Sequence, residues 1–220
     1  MGKRSGGGKH QSSSDGVIYT HPDCADAIME VVWNKISRNG CEADSDTLIL
    51  DACSGEGVLG MAFLKELPVP EVILDSVRMD FVDINQPDTK AEYPVNFTCC
   101  DILNWKPRYH YGFIICNPPF DEKTATAIFN HLKTLLSKNG VLIFFNPFGW
   151  FCQSDTRCRS LGFRYIIPMS TKMYMISGTG LLHLCVGIYI NDDYEDKGFV
   201  PLPHTVKELL KDKEQGLLIR

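Results

Sequence analysis

The chain predicts an α/β fold: a mostly parallel sheet covered by helices on both faces, with an antiparallel hairpin along one edge. Three observations lead there. Strand-like and helix-like stretches alternate through the middle of the 220 residues. The strand-like stretches, such as "TLIL" and "FIIC", are continuous apolar runs, as expected where both sheet faces are buried. The last two runs, "FRYIIP" and "LLHLCVGIYIN", are joined by "MSTKMYMISGTG" with no helical stretch between them, so they pair antiparallel.

The elements follow in order. Residues 1–16, "MGKRSGGGKHQSSSDG", are basic and then Gly/Ser-rich. They read as a disordered arm without the apolar stretch of a signal peptide. In "GVIYTHPDCADAIMEVVWNKI", Ala27, Ile28, Val31, Val32 and Ile36 recur at helical spacing after Pro22. "TLILDACSGEGVLGMAFLKEL" reads as a buried strand, a Gly-rich turn and a helix stopped by Pro68. "VRMDFVDIN" and "NFTCCDIL" are strands that each end in acid. "YGFIICNPPF" is a strand closing on Asn-Pro-Pro-Phe. "DEKTATAIFNHLKTLLSKNG" is a helix with Gly140 as its C-terminal stop. "VLIFFNPF" is a strand that closes on Asn146-Pro147-Phe148, read either as a strand-ending turn or as part of the wall of a target pocket. Residues 17–191 thus form the folded domain, and residues 192–220 a polar extension in which "TVKELLKDKEQGLL" reads as a short helix.

The totals exclude several classes of function. A net charge of −5 is not the footprint of a protein that grips nucleic acid by bulk electrostatics. No run of about eighteen apolar residues implies a membrane span. Of the nine cysteines, Cys53, Cys99, Cys100, Cys116 and Cys185 lie in or beside apolar runs, where a reduced thiol packs as a small core residue. Cys152 and Cys158 lack the spacing of a metal knuckle, and His21, His131 and His183 lack ligand spacing, so no metal site is expected. A reducing compartment, cytoplasmic or nuclear, follows from that cysteine usage.

In an open parallel sheet, ligands bind beyond the carboxyl ends of the strands. Asp51, Asp83, Asp101 and Asn117 are all expected near such ends. The turn after the first strand is read as a two-glycine motif, Gly55-x-Gly57, without the third glycine of the dinucleotide fingerprint, allowing close backbone approach to a ligand. It lacks the Gly-Lys-Ser/Thr of a phosphate loop. Asp83 stands where an acid would hold a ribose hydroxyl. Asp101 reads either as a contact to an adenine amino group or as a helix N-cap. "GWF" at 149–151 and "TKMYM" at 171–175 lie near the same rim and read either as ordinary packing segments or as contacts to a flanking base or a partner protein. Lys106, Arg108 and His110 read as a small basic loop near the cleft, either a solvated turn or a phosphate contact.

The order "LDACSGEGVLG", "MDFVDIN", "TCCDIL", "IICNPPF" resembles class I S-adenosylmethionine-dependent methyltransferases. Asn-Pro-Pro-Phe resembles the signature of those that methylate exocyclic adenine nitrogens in DNA or RNA, or a glutamine amide in protein. "YTHPDCADAI" is similar to an approach helix of some adenine-specific members. The resemblance covers roughly residues 17–191. It implies a Rossmann-like seven-stranded sheet and S-adenosylmethionine as cofactor. Asp51, Cys53, Gly55 and Gly57 would line its methionine end. Asp83, followed by Ile84, would hold the ribose, and Asp101 with Ile102 the adenine ring. Tyr19 and Thr20 would close over it, and Asn117 would stand between donor and acceptor.

That resemblance gives Asn117, Pro118, Pro119 and Phe120 a chemical reason. An aromatic amine is a weak nucleophile because its lone pair is delocalised. Acceptors aimed at both N–H bonds let the nitrogen pyramidalise as a methyl group arrives. The Asn117 side-chain carbonyl and the Pro118 backbone carbonyl are such acceptors, and two prolines fix the turn in advance. Phe120 offers a face for stacking. The expected acceptor is adenine in RNA or DNA, single-stranded or flipped from its stack. A partner subunit is expected to help with recognition, given the short chain and acidic balance. The alternatives are a glutamine amide in protein, or an inactive cofactor-binding subunit that supports a catalytic partner.

Overall fold

In the computed structural model, residues 20, 22–38, 40–43, 46–68, 77–85, 95–152, 161–169 and 184–192 are described. The element order is α1 (Pro22–Ser37), β1 (Ile49–Ala52), α2 (Val58–Glu66), β2 (Met79–Asp83), β3 (Val95–Cys99), a 3-10 turn (Ile102–Asn104), β4 (Tyr111–Cys116), α3 (Glu122–Lys133), β5 (Leu136–Pro147), α4 (Phe148–Cys152), β6 (Phe163–Pro168) and β7 (Leu184–Ile190). One seven-stranded sheet runs β3-β2-β1-β4-β5-β7-β6. The first five strands in that order are parallel, while β7 pairs antiparallel with both β5 and β6. The expected architecture, antiparallel edge included, is the observed one.

Alternation along the strands divides the core in two. Ile49, Phe113, Ile115, Val141, Ile143 and Phe145 face α1 and α2. Leu50, Ile114, Cys116, Leu142 and Phe144 face α3 and α4. On the second side Phe129 of α3 and Trp150 of α4 pack on Phe144, each with ring centroids 5.3 Å away. "GWF" is therefore partly core, since Trp150 and Phe151 are both buried.

Three sequence expectations change here. In α1 the buried stripe is Ala25, Ile28, Met29, Val32 and Ile36, spaced i, i+3, i+4, i+7 and i+11. Ala27 and Val31 fall off that stripe; Ala27 is exposed and Val31 is 52% exposed. Helix α3 ends at Lys133, with Thr134 as its cap, and Gly140 lies inside β5. There a Cβ would stand 2.9 Å from the Tyr111 carbonyl, so Gly140 serves close strand approach rather than helix termination. Of the cysteines expected in the core, Cys116 and Cys185 are buried, Cys53 and Cys100 half-buried, and Cys99 exposed. Cys24, Cys41, Cys53, Cys99, Cys100, Cys116 and Cys185 are free thiols. No described helix is long and apolar enough to cross a membrane. Residues 1–16, "TKMYM" and residues 193–220 of the C-terminal extension lie outside the described residues.

Candidate active site

The turn after β1 is built by backbone constraints. Cys53 and Gly55 take left-handed conformations, with φ of 56° and 52°, and Gly57 has φ of 74°. A Cβ on Gly57 would also stand 2.6 Å from the Phe81 ring. Helix α2 then starts without a side-chain cap. The turn is tied to its neighbour strand, because the Gly55 amide donates to Asp83 Oδ2 at 2.8 Å. The other oxygen of Asp83 accepts from the Asn85 amide at 2.9 Å. The Asp83 carboxylate is thus held in place by two backbone donors at the end of β2.

A third glycine completes the motif. Gly60 makes Gly55-x-Gly57-x-x-Gly60 a full Gly-x-Gly-x-x-Gly stretch, so the expectation that the third glycine is missing is wrong. Its amide donates to Asp51 Oδ2 at 2.9 Å, and a Cβ there would stand 2.7 Å from the same oxygen. Asp51 is only 1% exposed and sits within β1, behind the turn. Burial holds its carboxyl well above the usual carboxylate range, against the opposing pull of the Gly60 amide. Asp51 therefore braces α2.

A cavity of about 450 Å³ opens at the carboxyl ends of β1 to β4. Of the residues singled out in the sequence, Thr20, Cys53, Gly55, Asp83, Ile84, Asp101, Ile102, Asn117, Pro118, Pro119 and Phe120 line it. Asp51 and Gly57 support the wall from behind, and Tyr19 lies outside the described residues. The lining also includes Ser54, Asn85, Leu103, Thr124 and Ile128, whose types alone gave no signal in the sequence. Asp101 caps the 3-10 turn, Oδ1 accepting from the Leu103 amide at 3.0 Å, while also lining the cavity. The Lys106–His110 loop does not gather at this rim. His110 lines a separate cavity at the opposite, amino end of β4, because the chain must return there to begin a parallel strand.

The Asn117–Phe120 turn is fixed at both ends. It leaves β4 at Cys116, a buried residue. It enters α3 through Asp121, whose side chain accepts from the Thr124 amide at 2.8 Å. Hydrogen bonds from the Thr124 hydroxyl and then from the Thr124 amide lower the Asp121 pKa. Cys116 beneath the turn is held as the neutral thiol by burial and by the neighbouring Cys53 thiol. Among the described residues, no group of His, Cys, Asp and Glu has the arrangement of a metal site.

These features fit a nucleoside-bearing methyl donor. Ile84 and Leu103, 67% and 38% exposed, leave apolar surface on the cavity wall that a flat ring would cover. Asp83 presents a fixed acceptor for hydroxyl donors. Ser54 Oγ is buried without a hydrogen-bond partner among the described residues.

Comparison with known proteins gives a family and a fold. The methyltransferase small domain model matches residues 29–147. A protein provisionally named a class I S-adenosylmethionine-dependent methyltransferase, from Listeria monocytogenes, superposes with a TM-score of 0.57 at 13% identity, over 87% of this chain and 71% of its own. The 1,6-didemethyltoxoflavin-N1-methyltransferase of Burkholderia thailandensis, solved with 1,6-didemethyltoxoflavin and S-adenosylhomocysteine, gives 0.53 at 14% identity over 77% and 79%. A modification subunit of a protein provisionally named a type I restriction enzyme, from Vibrio vulnificus, gives 0.57 at 11% identity over 93% of this chain and 54% of its own. At such identities the superpositions show the fold. The family match, over more than half of its length, makes this chain a member of the methyltransferase small domain family, an S-adenosylmethionine-dependent methyltransferase.

Proposed function

We propose that the protein methylates the exocyclic amino group of adenine in nucleic acid. The observation behind this reading is the Asn117–Phe120 turn, pinned by β4 and the α3 cap, on the wall of the cavity. When bound, S-adenosylmethionine supplies a sulfonium-activated methyl group. Asp83 would hold its ribose, Ile84, Asp101, Ile102 and Leu103 its adenine, and Cys53, Ser54 and Gly55 its methionine end. Thr20 and Tyr19 would close the site.

The chain's own contribution is to hold the acceptor. The Asn117 side-chain carbonyl and the Pro118 carbonyl accept the two N–H bonds of the amino group. The nitrogen lone pair then points out of the ring plane, and one proton leaves after the methyl is attached. Phe120 stacks on the ring, an interaction of ~1–3 kcal/mol per base. Correct placement matters more than a strong base, since proximity alone can supply up to ~7–11 kcal/mol.

The net charge of −5 favours an acceptor that is not held by bulk electrostatics. A structured RNA, a base already unpaired, or a complex with a recognition subunit meets that condition. The same acidic balance favours the second reading, a glutamine amide in protein. Incubation with isotope-labelled S-adenosylmethionine and RNA, DNA or protein, followed by digestion and mass spectrometry, separates these readings. N6-methyladenine is expected. Label on glutamine would replace the proposal with the second reading. Cofactor binding without transfer to any acceptor would reduce the chain to a supporting subunit.

A further inference from the structure

Asn146 is 0% exposed, and neither polar atom of its carboxamide has a hydrogen-bond partner among the described residues. Four residues on, Trp150 Nε1 is buried in the same condition. Each such atom weakens the fold, whereas leucine, close to asparagine in size, would fill the position without that cost.

The location of these orphaned atoms is informative. In the parallel pairing of β4 with β5, Cys116 stands beside Phe144. Two residues further along the two chains come Pro118 and Asn146. Asn146 also alternates in phase with Leu142 and Phe144, so it belongs to the side of the sheet where Ile102 and Ile128 wall the cavity. An unsatisfied amide therefore stands one strand away from the turn proposed to grip the acceptor.

We infer that Asn146 is a specificity-determining residue of the acceptor site, donating a hydrogen bond to the ring nitrogen beside the amino group that is methylated. The inference rests on the adenine reading above. With both N–H bonds of the amino group taken by Asn117 and Pro118, the remaining polar atoms on that part of adenine are ring nitrogens, which only accept. Asn146 Nδ2 and Trp150 Nε1 both donate. A guanine ring presents an N1–H beside its O6, and that donor would face donors. A site lined by buried donors rejects such a mismatch strongly, because its polar groups are then left unmade. Since Asn146 is sealed from solvent, the contact forms as the acceptor seats and the neighbouring turn or the five-residue helix α4 gives way.

The test uses full-length protein and single-stranded RNA and DNA oligonucleotides carrying adenine, 1-deazaadenine or 7-deazaadenine. The parent should methylate adenine and 7-deazaadenine alike and lose about tenfold or more in kcat/KM on 1-deazaadenine. Asn146→Ala should lose a similar factor on adenine and no longer distinguish adenine from that analogue. Its affinity for S-adenosylmethionine, measured by calorimetry, should stay within about twofold of the parent. Asn146→Leu should fold with a Tm at or above that of the parent while methylating poorly. Unchanged discrimination in Asn146→Ala overturns the inference, as does a Tm in Asn146→Leu several degrees below the parent, which would mark a structural role. A crystal structure of the adenine complex with Asn146 bonded only to an internal water would overturn it as well. If the parent transfers methyl only to a non-adenine acceptor, the adenine reading itself has failed, and this inference falls with it for that separate reason.

Discussion

Cavities open at both rims of the sheet, about 640 Å³ at the amino ends of the strands and 450 Å³ at the carboxyl ends. Their polar groups behave differently. At the amino rim they meet one another. Arg164 forks onto both oxygens of Asp192 at 2.6 and 2.7 Å. Asn191 Nδ2 donates to the Ser137 carbonyl at 2.8 Å, and the Asn191 amide to the Gly140 carbonyl at 2.8 Å. At the carboxyl rim Ser54 Oγ and the Asn146 carboxamide are buried with no partner among the described residues. Asp83 is braced by two amides yet still opens to the cavity. Cavity size therefore does not separate a working site from a surface hollow. The useful difference is whether buried polar atoms are already spoken for, since leaving them unmade destabilises a fold unless a ligand completes them.

The strongest way to break this contrast is Asn117→Ala at the carboxyl rim. Methyl transfer should fall about 10²–10³-fold while S-adenosylmethionine affinity stays within about threefold, checked by single-turnover kinetics and calorimetry. Retained turnover would remove the turn from the chemistry. Phe120→Ala comes next. Loss of stacking should cost about 5- to 150-fold in kcat/KM, mostly through KM, and Phe120→Tyr should restore most of it.

A third substitution acts on stability through pH. Burial raises the Asp51 pKa, so the native state favours its protonated form. Its stabilising contribution is complete below the ordinary carboxylate pKa and is lost as pH rises through the raised native value. An asparagine side chain at this position would imitate the protonated form and still accept from the Gly60 amide. Asp51→Asn should therefore leave Tm nearly unchanged at acidic pH and raise it increasingly toward alkaline pH in thermal melts. A gap that shrinks with rising pH would contradict the assignment. The smallest effect belongs to the amino rim. Arg164→Ala removes a partly exposed ion pair and should cost about 1 kcal/mol or less in denaturant titrations, with kcat unaltered. A large loss of activity there would erase the distinction between the rims.

Much of the sheet was legible because continuous apolar runs specify buried strands, and the rim followed from where those runs stop. Asn117 to Phe120 stood out because two prolines and an amide are an odd ending for a packing strand. What was hidden depends on tertiary position. Ile128 and Thr124 enter the cavity wall only because α3 lies over that edge, and nothing in their residue types marks it. Asp51 and Asp83 look alike in sequence, each after an apolar run. One is interior and holds a helix, the other closes a strand and faces the cavity. His110 is near the cleft by sequence distance, but a parallel strand has to start at the far rim. The end of α3 is misread from sequence because Gly140 looks like a stop signal, whereas its actual constraint is the Tyr111 carbonyl across the sheet.

The position of β7 has a consequence for how the molecule assembles. Seven of its residues pair with β5 and five with β6, so β6 reaches the sheet only through it. While the chain emerges from the ribosome, β1 to β5 can associate as soon as each is made, but β6 must wait for a strand synthesised later. Until residues 184–190 arrive, the open flank of β5 is a long apolar edge ready to pair with another chain. A nascent chain interrupted before residue 184 is expected to aggregate rather than persist as a smaller folded unit, and refolding of the whole should wait on this distant closure.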